Sequence, residues 1–161
     1  MIHSLLLFVW LALCAVQDIR QRQIANRLTW GGLLLALVYL LWSGSTWLGA
    51  SAAEGGWAFT LALLFTLPGY ALGRLGAADV KLLAALALAT NSQYLPGTFV
   101  GAGLASVAWL LVAPRMWPLM NQGVRNALCH LEPRASNKQP FAPFLFVGFV
   151  LAWAWIPLVV T

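Results

Sequence analysis

Long apolar runs separated by short polar connectors decide what this chain can become. Measured against the ~20 residues a helix needs to cross a bilayer, the runs give six spans, at approximately 2–17, 28–42, 57–73, 75–94, 97–113 and 141–160. The stretches between them are too short for a separate soluble domain. Residues 1–161 are therefore expected to form one transmembrane domain, an all-α polytopic bundle with the lipid bilayer as its solvent. Only 8% of residues are charged, where soluble domains carry roughly a quarter. The first run has no basic residues before it and several after it, the reverse of an export signal, so it is read as a span.

The net charge of +5 does not point to nucleic acid, because the basic residues are spread between the runs. Arg20, Arg22 and Arg27 form one group, Arg74 and Lys81 a second, and Arg115, Arg125, Arg134 and Lys138 a third. The connectors at 43–56 and 95–96 hold no Lys or Arg. All nine basic residues then fall on one side, which the positive-inside rule makes cytoplasmic, and an even number of spans leaves both termini outside. Cys14 and Cys129 form no C-x-x-C pair, and His3 and His130 belong to opposite ends, so no metal site and no cofactor is expected.

Against this background two acids stand out. Asp18 follows the first run, and Asp79 opens the fourth within Gly73-Arg-Leu-Gly-Ala-Ala-Asp-Val-Lys-Leu-Leu83. An ionisable group at membrane depth costs about 2.5–3.5 kcal/mol on insertion scales, so such residues commonly mark working sites. Two intervening spans go out and return, which brings both carboxylates to one depth on the cytoplasmic side. The apolar stretch 80–89 is too short to cross alone, so the fourth helix is expected to begin near Leu75 with Asp79 one turn inside. Asp79 and Lys81, two apart, point to different faces of that helix and do not pair locally.

Paired carboxylates share a proton, and one can take a proton from water while the other donates to a carbonyl oxygen. No G-x-S-x-G elbow, H-E-x-x-H helix or phosphate-binding loop offers rival chemistry. Taken singly, Asp18 equally suits a helix leaving the membrane. Asn26 is expected to cap the second helix, with contact to a substrate backbone as the alternative. Lys81 is read as snorkelling, or as a group that biases the acids' charge or orients substrate. Apolar residues Met116, Leu119, Met120, Val124, Leu128 and Leu131 recur at helical spacing, which suggests a helix lying along the cytoplasmic interface.

Three segments resemble a known family. Asp18-Ile-Arg-Gln-Arg-Gln-Ile-Ala-Asn26-Arg-Leu-Thr29 is similar to the first signature of type IV prepilin peptidases, an Asp followed by basic residues and I-P-N-x-L-T. Gly76-Ala77-Ala78-Asp79-Val80-Lys81-Leu82 resembles the second, G-x-G-D-x-K-L, and Gln139-Pro140-Phe141-Ala142-Pro143-Phe144 resembles the proline-framed start of the last helix. Ala25 and Ala78 depart from the family's proline and second glycine. The resemblance implies an intramembrane aspartic endopeptidase with Asp18 and Asp79 as its catalytic pair, and Asn26, Gly76, Lys81 and Pro143 as supporting or substrate-binding residues. It implies a pilin-like precursor as the partner, cut at the cytoplasmic face of a bacterial or archaeal inner membrane. The family's cytoplasmic domain with paired C-x-x-C motifs is missing, so peptidase without N-methyltransferase activity is expected, as in the short members serving tight-adherence (Flp-type) pili. The competing classes are a small proton-coupled transporter, which would need further polar residues toward the outer side, and a non-catalytic subunit of a membrane assembly.

Overall fold

A computed structural model describes residues 2–73, 75–132 and 140–160, the side chains of 157–160 excepted. Arg74, Arg134, Lys138 and Gln139, which enter the charge pattern and the third motif, lie outside the described residues. Among those described, the architecture is all-helical, with seven α-helices: α1 Ile2–Gln21, α2 Asn26–Ser43, α3 Ala52–Ala71, α4 Ala77–Ala89, α5 Tyr94–Met116, α6 Gln122–Ala127 and α7 Ala142–Val160. The only extended pairing among them is an isolated bridge between Ser45 and Ser51.

Helix α4 sits at the centre. From Leu82 to Ala89 its sequence is apolar on every side and every residue is buried, as expected of a helix enclosed by others. Helices α2 and α3 pack directly on it, α5 and α7 form the closest pair, and α1 lies against α7. The core joins Leu7, Leu11 and Cys14 of α1 to Leu82, Leu83 and Leu86 of α4 and to Leu145 and Phe149 of α7. Small residues set the α5–α7 spacing: a Cβ added at Gly101 would lie 2.8 Å from the Gly148 Cα. Backbone contact of this kind is the usual basis of tight helix pairs in membranes. Gly73 takes a left-handed turn at φ 68° after α3.

The expected boundaries shift most in three helices. Helix α4 does not begin near Leu75. Gly76 is its N-cap, in extended conformation at ψ 151°, and Thr90 ends it, so it has 13 residues, or about 20 Å of length. Its neighbours bury it, which removes the need for the helix to reach across by itself. Helix α1 continues to Gln21, so Asp18 belongs to its last turns rather than to a connector. Helix α3 starts at Ala52, five residues before Trp57, because the Ser51 hydroxyl accepts the Glu54 N–H at 3.3 Å and caps it.

Among the described residues two helices are, by length and composition, long and apolar enough to cross a membrane, Ile2–Gln21 with mean hydropathy 1.9 and Tyr94–Leu119 with mean hydropathy 1.7. Much of the outer surface is apolar: Leu5, Val9 and Leu13 on α1, Leu34 and Val38 on α2, and Leu104 and Leu111 on α5 are all exposed. The interfacial helix expected over 116–131 is divided. Met116 closes α5, Trp117–Leu119 and Cys129–Leu131 are single 3-10 turns, and only Gln122–Ala127 is α-helical. Buried Trp117 and Leu131 pull its two ends onto the bundle, which a helix lying free on a surface would not do.

Candidate active site

One end of the bundle gathers the C-terminus of α1 and the N-termini of α2, α4 and α7. Asp18 meets the start of α7 there, since its Oδ2 accepts the Ala142 N–H at 3.0 Å. The first amides of a helix have no intrahelical acceptor, and this carboxylate supplies one from a different helix. Pro143, half-buried, follows at the second position of α7, where a residue without an N–H costs the helix nothing. Asp18 itself is 6% exposed.

Asp79 occupies the third position of α4. Its Oδ2 turns back to accept the Gly76 N–H at 3.1 Å, the reciprocal half of a capping box. Gly76 has φ −79°, open to any residue, so its value here is steric. A Cβ at that position would lie 3.1 Å from the Asp79 Oδ2. Ala78, standing at the family's second glycine, lies in the first turn of α4 and packs on the core as an ordinary helical residue.

The two acids line one cleft of about 280 Å³, together with Arg22, Gln23, Ile24, Gly76, Ala77 and Ala78. Since a water takes ~30 Å³ of liquid volume, the cleft has room for several waters. The connector forming one wall is held in place. The Gln17 side chain accepts the Ala25 N–H at 3.0 Å, and Ile24 is buried. Arg22, which sequence reasoning assigned only to topology, lines the cleft and is the single non-glycine residue with positive φ, at 51°, among those described.

Asn26 does not cap α2 as expected: Ala25 is the N-cap and makes no side-chain cap bond. Instead the Asn26 Oδ1 accepts from Lys81 Nζ at 3.0 Å, and the ammonium lies 5.2 Å from the centre of the Trp30 ring. Lys81 therefore ties α4 to α2, consistent with its pointing away from Asp79. His130 is a site neighbour the sequence did not mark, with its Nδ1 2.8 Å from the carbonyl oxygen of Ile19. Its partner is 111 residues away, and no local spacing could have exposed that pairing.

Residues 5–111 match the profile of the type IV leader peptidase family. The matched region holds Asp18, Asn26, Gly76, Asp79 and Lys81, and stops before His130 and Pro143. No curated protein gives a significant match, and no solved structure does. The profile covers well over half of the chain and includes both acids of the cleft, so the chain belongs to the type IV leader peptidase family.

Proposed function

We propose that this protein is a membrane-embedded aspartic endopeptidase that removes the leader of pilin-like precursors at the cytoplasmic face of the inner membrane. The observation that carries the reading is the single cleft lined by Asp18 and Asp79 in a chain of this family. Lipid covers the apolar outer surface, and the cleft end, marked by Arg20, Arg22, Arg27, Lys81 and Arg115, faces the cytoplasm. A precursor with a cytosolic leader and one apolar helix then presents its boundary peptide bond at the level of the acids.

Two carboxylates in one cleft share a proton and titrate as a pair. The ionised member takes a proton from water, whose oxygen attacks the scissile carbonyl carbon. The protonated member donates to the carbonyl oxygen as it gains charge. As the tetrahedral intermediate collapses, the C–N bond breaks, the departing amine takes up the proton held by the first acid, and one hydroxyl of the intermediate returns its proton to the second. Backbone amides of Ala142 and Gly76 hold one oxygen of each carboxylate, so the pair is oriented before substrate arrives. Asn26, Lys81, Gly76 and Pro143 support this arrangement rather than react. A transporter would need a polar path leading outward. The buried hydroxyls of Thr29, Thr66 and Thr90 instead donate to carbonyls of their own helices.

The test is incubation of purified protein with candidate precursors and mass spectrometry of the cut ends. Asp18→Asn and Asp79→Asn are each expected to abolish cleavage while precursor binding persists. Trimming by the double variant would refute the assignment.

A further inference from the structure

Helix α1 ends in a left-handed turn made by an arginine where glycine is usual. Its final carbonyls have no intrahelical donors, and the left-handed position that glycine commonly fills is taken by Arg22 at φ 51°. That conformation costs an L-residue roughly 1–2 kcal/mol. Arg22 N closes on the Asp18 carbonyl at 2.8 Å. The next carbonyl, Ile19, is met from outside the helix by His130 Nδ1 at 2.8 Å. A carbonyl only accepts, so the hydrogen resides on Nδ1.

The turn that carries His130 is itself pinned. Leu131, 7% exposed, is buried in the core, and its carbonyl accepts the Trp109 Nε1–H from α5 at 2.9 Å. Leu131 N also closes on the Leu128 carbonyl at 2.8 Å. The imidazole is thus presented from a fixed point on the bundle. The cleft-bearing turn of α1 is gripped twice, by α7 through the Asp18 side chain and by the Cys129–Leu131 turn through the backbone one residue on.

We propose that His130 is a positioning residue for Asp18, closing the end of α1 so that the carboxylate keeps its place in the cleft. The inference rests on the peptidase reading above and gives the 117–131 segment a part in the reaction. His130 touches neither substrate nor water in this scheme. It acts through the Ile19 carbonyl, where release would let the last turn fray and carry Asp18 with it.

Steady-state cleavage of a precursor by purified His130→Asn, His130→Gln and His130→Ala, with thermal midpoints in detergent, tests this. An Asn amide nitrogen reaches about where Nδ1 lies, whereas that of Gln falls nearer Nε2. His130→Ala and His130→Gln are expected to lose ten- to hundredfold in kcat, of the order that ångström-scale misplacement costs. KM and thermal midpoint should hold in both. His130→Asn should stay within about threefold of the parent, under 1 kcal/mol of barrier. If His130→Ala does not accumulate, the Asn and Gln variants decide. Equal activity in those two overturns the positioning role. So does parental turnover in all three, which leaves the peptidase reading intact as long as Asp18→Asn remains inactive.

Discussion

At Asp18 the carboxylate that lines the cleft also accepts the first amide of α7. Substitutions can separate these two roles. Asp18→Asn keeps an oxygen acceptor for Ala142 and should unfold near the parental temperature while failing to cleave. Asp18→Ala loses the acceptor as well, and should be destabilised by about 0.5–2 kcal/mol, the usual loss for a helix cap. Thermal unfolding in detergent, compared across the pair, checks this. Gly76 offers a second residue-level test, because a Cβ there would press on the Asp79 Oδ2 from 3.1 Å. Gly76→Ala should lower kcat about three- to tenfold through displacement of the acid, with little change in stability, since φ −79° suits alanine.

Among the elements, α4 depends most on its neighbours. Thirteen residues give it no independent reach, and the tie between Lys81 and Asn26 sets its N-terminus against that of α2. That contact is exposed, so a double-mutant cycle of Lys81→Met and Asn26→Ala should return a coupling of only about 0.5–1 kcal/mol. A coupling of zero would mean that the two helices are aligned by apolar packing alone. The α5–α7 pair is held more firmly. Gly148→Leu would drive a side chain into the Thr98 carbonyl oxygen and the Ala102 nitrogen of α5 and force the backbones apart, at a cost of about 1–3 kcal/mol. Because α7 begins at the amide that holds Asp18, cleavage should fall along with stability. A variant that loses stability yet keeps full turnover would separate α7 from the site.

For the whole molecule, the coupled acids predict a bell-shaped dependence of kcat/KM on pH. Activity falls on the acid side, where both carboxylates are protonated and none accepts from water, and on the alkaline side, where both are ionised and none donates. A rate flat from strongly acidic to neutral pH, with chemistry limiting, would contradict the mechanism. Orientation can be read from the native thiols. Cys129 is exposed near the cleft end, and Cys14 is buried. An impermeant maleimide should label Cys129 in inverted vesicles and leave it unmodified from the outer side, while Cys14 stays protected from both.

The length of the apolar runs determined the all-helical architecture and the approximate position of most helices, because a helix satisfies the backbone polar groups of a long apolar run within the run itself. The motif around Asp18 and the one around Asp79 were likewise legible, and they led to the family whose profile the chain matches. Helix ends were not, since caps such as Gly76 and Ser51 act through local geometry that hydropathy ignores. Only the tertiary structure decided that Asn26 binds Lys81 rather than capping α2, that Ala142 holds Asp18, and that His130 meets the Ile19 carbonyl. Each of these contacts joins residues between 55 and 124 positions apart. Spacing along a chain carries no record of which helices will lie side by side, and packing around α4 supplies it.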